Sequence, residues 1–310
     1  MLKVPYACLT LLLVLEFTAC KKDSGMDQPN QTLLLTKVAN DYNSTINIFY
    51  DHKNRPFELT WGFQAFWVDE YDAKGNITRM RDTGYSGGFG TGSYINAKTT
   101  FEYDGQNRII KSSYYEHSPF FADSTKPISY NVFSYVEDTI IRQGYAQNPL
   151  TGEYNKPDPD YIERIYLNAD RNLESLSLSD DSDYTGHPFH FALSANYANT
   201  QKNPLLLLPR AIVIGSPLAY LEFDETHHIL SYSKFIPETM QYVQEAYEDY
   251  FSSMMKRESL YSNSLTMSSL ASGYPESIHQ TINYTRTNLT TGEVFPYTDS
   301  KTFRFEYVEK

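Results

Sequence analysis

The sequence predicts an all-β chain, an antiparallel meander of hairpins forming a barrel-like or strongly curved sheet. Three observations carry that reading. Tyr occurs 27 times and Phe 18 times among 310 residues, and aromatic rings pack well on a pleated surface. Apolar residues alternate with polar ones, as in Lys301–Lys310, where Phe303, Phe305 and Tyr307 share one face and Arg304 and Glu306 the other. Finally, a Tyr-Asp pair, a few turn residues and an apolar run recur: YDHKNRPFEL from Tyr50, YDAKGNITRM from Tyr71 and YDGQNRIIKS from Tyr103.

Residues 1–19 read as a leader. Lys3 supplies an early positive charge, and the apolar run Leu9–Leu15 is too short to cross a bilayer. Phe17-Thr18-Ala19-Cys20 resembles a bacterial lipobox, with Phe17 where Leu is commonest and Glu16 intruding on the apolar run. Cleavage before Cys20 would make it the lipidation site and leave no thiol in the mature chain, since Cys8 departs with the leader. Residues 20–32 are polar, with Gly and Pro, and form a flexible tether. Lys21-Lys22-Asp23 loosely resembles the surface-export signal of Bacteroidota lipoproteins. The expectation is an exported protein held at the outer membrane through Cys20, on its periplasmic side or at the cell surface.

Residues 33–310 form a single β-rich domain. In each repeat the Tyr ends a strand, and the Asp can bond its own backbone two residues on, starting an Asx-turn. Gly75-Asn76 and Asn107 supply residues that tolerate positive φ. Leu167–Leu176 and Phe223–Tyr232 are looser copies. Their spacing is irregular, so this is no strict solenoid. The motif resembles the YD-repeat signature of large secreted shells. Together with the lipobox, the final Phe303–Tyr307 strand and the segments QKNPLLLLP from Gln201 and SGYPESIHQTINY from Ser272, it is similar to a family of uncharacterised Bacteroidota lipoproteins with a porin-like, barrel-like β domain. That resemblance implies the fold and brings no catalytic residues.

Two segments depart from the meander. Met240, Val243 or Gln244, Tyr247 and Met254 fall at helical spacing, which predicts one short helix near 238–256, against two strands joined at Glu248-Asp249. Asn203–Arg210 holds four leucines between two prolines and reads as a buried strand or connector.

No residue set points to chemistry. The formal charge of −12 argues against nucleic acid. Asp181, Asp183 and Thr185 open like a calcium loop, but Ala192 stands where a bidentate Glu belongs. His187 and His190 fall on opposite faces of a strand, and so do His227 and His228, so no metal site is expected. The Gly-rich stretch Gly84–Tyr94 lacks the Lys-Ser/Thr pair of a phosphate loop. It reads as a surface loop whose Tyr85, Phe89 and Tyr94 are the candidate contacts for a glycan or a protein partner of the envelope. No Gly-x-Ser-x-Gly elbow is present, and the exported chain has no His-Glu-x-x-His. The reading is therefore a non-catalytic binding or structural lipoprotein without cofactors. A surface carbohydrate-active hydrolase and an accessory factor of an outer-membrane assembly stand as alternatives.

Overall fold

The computed structural model describes residues 33–310 apart from 42–43, 63, 87–92, 117–124, 149–150, 156–161, 181–188, 198–199, 216–231, 249–252 and 268–272. The strands are β1 (Leu33–Asn40), β2 (Thr45–Tyr50), β3 (Pro56–Trp61), β4 (Gln64–Tyr71), β5 (Ile77–Ser86), β6 (Ser93–Tyr103), β7 (Ile109–Glu116), β8 (Ser129–Val136) and β9 (Thr139–Gln147). They continue as β10 (Tyr154–Asn155), β11 (Ile162–Leu167), β12 (Leu173–Asp180), β13 (Phe189–Asn196), β14 (Thr239–Glu248), β15 (Ser253–Met267), β16 (Pro275–Asn288) and β17 (Val294–Glu309).

Every neighbour is antiparallel, and sequence order is ring order. The two-residue β10 shares β9 with β11, so the wall counts sixteen strands around. The ring closes where β1 pairs with β17, from Leu33 opposite Glu309 to Asn40 opposite Phe303. Closure removes the unpaired edges that would otherwise template aggregation.

The Tyr-Asp repeats build one rim of this barrel, the turn rim. Asp51, Asp72 and Asp104 each accept backbone N–H groups two and four residues on, at 2.8–2.9 Å. Asn168 does the same at 3.0 Å in the loosest described copy. The fourth turn residue takes positive φ each time: Asn54, Gly75, Asn107 and Arg171. A bulge follows every turn. Phe57, Thr78, Ile110 and Glu174 are each an extra residue on the return strand, which re-aims the side chains behind them.

The Tyr itself does what its sequence position did not reveal. Its hydroxyl, like those of Tyr135, Tyr197 and Tyr307 outside the Tyr-Asp pairs, reaches sideways to a carbonyl at or near the start of the preceding strand. Tyr50 donates to Leu35, Tyr103 to Ile77, Tyr135 to Ile109, Tyr197 to Leu173 and Tyr307 to Pro275, at 2.6–2.9 Å, and Tyr71 donates to Pro56. Arg55 and Arg108, ion-paired to Asp51 and Asp104, lie 4.4 Å above the ring of Tyr71 in the next repeat and 4.3 Å above that of Tyr135 on β8. Each brick is thus fastened to its neighbour.

Sixteen strands enclose more space than side chains alone fill. Here the described parts of the β13–β14 connection, 200–215 and 232–238, fill the turn-rim end as a plug. A 3₁₀ turn, Pro204–Leu207, and a short helix α1, Arg210–Gly215, contribute Leu205, Leu207, Ala211 and Ile212 to one core with inward residues of the wall. Asn172 pins the plug by accepting from the Lys234 and Phe235 N–H groups at 2.8 and 3.0 Å. Ser233 hydroxyl accepts from the Leu173 N–H at 3.1 Å. The leucine-rich segment is therefore a buried connector and not a strand.

The helix expected near 238–256 is corrected to β14 and β15. Met240 and Tyr242 are buried while Gln241 between them is exposed, a period of two. β14 pairs with β13 over seven residues and with β15 over ten. Those ladders outweigh the helical preference of its Met, Gln and Glu residues.

Candidate functional site

The two faces of the wall differ in chemistry. Outward positions carry ion pairs across neighbouring strands: Lys37–Glu306 and Arg81–Asp69 at 2.7 Å, and Lys111–Glu102 at 3.6 Å. Outward aromatics sit under cations, with Lys98 4.4 Å above Tyr115 and Lys111 5.0 Å above Tyr130. Such a face suits water. A wall set in lipid presents a continuous apolar band, and charge at mid-depth costs about 2–4 kcal/mol per Arg or Lys.

The inward face is apolar at the turn rim and polar toward the opposite, far rim. At the boundary, Arg142 Nε lies 2.7 Å from Glu163, whose side chain is 4% exposed. The plug's Tyr232 is close to this pair, and burial pushes its phenol up to about 12. Beyond the boundary, register places Asp82 and Glu116 inward on either side of the buried Ala97. Two strand spacings separate them, about 10 Å. Burial raises the Asp82 carboxyl to about 6. Its Oδ1 is enclosed without a hydrogen-bond partner, as is Oε1 of Gln64.

The β14–β17 wall presents a different inner surface. Tyr242, Ser259, Tyr284 and Tyr297 stand in one register row, and Arg257 and Arg286 face each other in the next. The Arg257 guanidinium lies 4.9 Å from the Tyr284 ring and 5.5 Å from Tyr242. Tyr284 and Tyr297 stack at 5.0 Å. Guanidinium forks and ring faces therefore line this wall, and carboxylate and amide acceptors the β4–β7 wall. On the outside of the same four strands runs a groove of about 470 Å³, walled by Gln241, Leu260 and Asn283 on one side and Glu258, Thr285 and Pro296 on the other. It is the trench between two side-chain rows of the sheet.

Sequence-predicted site residues fall as follows. Tyr85 and Tyr94 pair in register near the far-rim end of β5–β6. Phe89 and Cys20 lie outside the described residues, as do Asp181–Gly186, His187, His227 and His228. His190 is exposed on β13. Among the described residues no group of three or more His, Cys, Asp or Glu is arranged to hold a metal ion. Sequence reading passed over Asp82, Glu163, Arg257 and Arg286. The available signal was a charge on the apolar side of a strand's alternation.

No protein-family model matches the chain, and no curated protein does. Several solved structures are similar in shape. A porin-like protein from Bacteroides vulgatus ATCC 8482 is 12% identical over 88% of this chain and 98% of its own, with a TM-score of 0.46. A porin-like protein from Bacteroides uniformis ATCC 8492 is 11% identical over 89% and 96%, with a TM-score of 0.33. A protein of unknown function from Bacteroides fragilis NCTC 9343 is 7% identical over 66% and 89%, at 0.24. The closed meander itself is established by the strand register.

Proposed function

We propose that this chain is a lipid-anchored protein of the cell envelope, a water-surrounded barrel with a non-catalytic binding or structural role at the outer membrane or cell surface. The observation that carries the reading is the outer wall, ion-paired from strand to strand, around a plugged apolar end. Such a barrel stands beside a membrane and not within it, and its attachment falls to Cys20. The far half of the interior and the far-rim end of β5–β6, with Tyr85 and Tyr94, are the ligand-facing parts, Phe89 lying outside the described residues. Aromatic rings and adaptable polar groups there suit a glycan or an envelope protein.

The test is made on intact cells. Whole cells are labelled with an acyl precursor and shaved with protease, for wild type and Cys20→Ala. Label lost in the variant supports the anchor; label unchanged, or absent from both, refutes it. Protease access then distinguishes the cell surface from the periplasmic side.

A second reading draws on Asp82 and Glu116. Two inward carboxylates, one with its carboxyl raised to about 6 by burial, are the parts of a sugar hydrolase. Under that reading Asp82→Asn abolishes hydrolysis across a panel of polysaccharides that wild type cleaves. A wild type that cleaves none of them removes it.

A further inference from the structure

We infer that the turn rim is the face this barrel lays against a lipid bilayer, so that the polar end of its interior points away from the membrane. The inference rests on the lipid-anchor reading and adds to it an orientation and a contact surface.

Three observations converge on the same rim. The first is the position of the chain's entry. Leu33 begins β1 opposite Glu309, level with the Asp51–Arg55 turn that follows β2. Thirteen residues, 20–32, separate it from the lipidated position. A flexible segment of that length has a root-mean-square span of about 20 Å. The eleven residues of β6, tilted by about 35–45° as barrel strands are, span about 26–31 Å from rim to rim. The tether therefore keeps the turn rim near the bilayer, and the far rim reaches it only with the tether drawn out along the wall.

The second observation is the distribution of exposed apolar side chains. Ten large ones are exposed among the described residues. Six of them lie at strand ends on the turn rim: Phe49, Phe57, Val136, Tyr166, Met267 and Val308. They come from β2, β3, β8, β11, β15 and β17, and so are spread around the circumference. One of them, Phe57, is a bulge residue, set outside the regular pleat by the extra position after the Asp51 turn. A ring of this kind is what a flat apolar boundary would touch at several points at once. Aromatic and aliphatic side chains at such a rim enter the headgroup–acyl boundary, and each adds to an anchor that acyl chains begin.

The third is the plug. Leu205, Leu207, Ala211 and Ile212 fill the turn-rim end, while Asp82, Arg257 and Arg286 face the interior toward the other end. The plugged rim offers no polar opening to the bilayer, and its charged turns, ion-paired at Asp51–Arg55 and Asp104–Arg108, meet the headgroup layer. The polar end stays with the water and its solutes.

The test needs the tether in place whether or not a cell acylates Cys20. The mature chain with Cys20→Ala and an N-terminal hexahistidine is held on phosphatidylcholine vesicles containing a nickel-chelating lipid. Without Cys20 the chain has no thiol, so one introduced cysteine carries an environment-sensitive dye. Val136→Cys reports the turn rim and Val294→Cys the far rim; the two valines are 55% and 54% exposed, so they start alike. Brominated acyl chains in the vesicle should quench the dye at 136 and leave the dye at 294 unchanged. Phe49→Ser with Phe57→Ser should cut the untethered chain's partitioning to the same vesicles by at least about tenfold. The paired far-rim variant Leu289→Ser with Val294→Ser should leave it unchanged. Quenching at 294, or at neither position, overturns the orientation. Acyl labelling of Cys20 in cells is read separately, so failure of the anchor and failure of the rim contact are distinguishable.

Discussion

Replacing Tyr103 with Phe removes one oxygen and keeps the ring. The hydroxyl donates to the Ile77 carbonyl at 2.7 Å, linking two hairpins whose contacting residues are 26 apart in sequence. Ile77 is fully buried, so its carbonyl has no water to replace the lost donor. An orphaned buried acceptor costs about 1–3 kcal/mol. The ring's apolar burial is unchanged, so the loss is assigned to the hydrogen bond alone. In a barrel of this size each kcal/mol moves Tm by roughly 2–4 °C. The assay is equilibrium unfolding in urea, with the midpoint and slope both recorded. Tyr166→Phe is the control, because that tyrosine is exposed on the outer wall. It should leave the midpoint in place. A Tyr103→Phe midpoint equal to wild type would refute the idea that the repeated Tyr is a hydrogen-bonding clasp, and would leave it as a packing residue only.

Three further outcomes follow from the geometry. Burial raises the phenols of Tyr50, Tyr71 and Tyr103 above their ordinary value of 10. The unfolded chain therefore releases those protons first. Stability should hold below pH 10 and fall as pH rises above it, more steeply for wild type than for Tyr71→Phe/Tyr103→Phe, as followed by urea unfolding between pH 8 and 11. Arg142→Met should destabilise by about 3–5 kcal/mol, since it takes the guanidinium from the buried Glu163 carboxylate, while Arg142→Met with Glu163→Leu should recover most of that loss in the same unfolding assay. Asn172→Ala removes the acceptor for two plug N–H groups. It should cost about 2–4 kcal/mol and speed limited proteolysis between residues 201 and 236, with cleavage mapped by mass spectrometry.

The hairpin was legible because its determinants are local. Asp104, Asn107 and the alternation around Phe101 lie within a few residues of one another, and a turn is decided over that distance. The β14–β15 pair was misread for the same reason. A short apolar spacing fits two periods, and only the partners on β13 and β16 choose between them. The candidate site was the least legible part. Asp82, Arg257 and Arg286 look in sequence like ordinary strand charges, since facing inward depends on bulges and on which side of the sheet the ring closes around.

By itself, then, the sequence determined the strand class, the Tyr-Asp turn and the positive φ at Gly75 and Asn107. Each of these is set by neighbours along the chain. The tertiary structure alone decided that β1 meets β17 across the whole length of the domain, that 201–215 and 232–236 pack inside the barrel as a plug, and that the hydroxyls of Tyr71 and Tyr103 are satisfied by the backbone of the preceding brick. A contact between residues 26 or 270 positions apart carries no local signature, because its free energy appears only once the intervening chain has been placed.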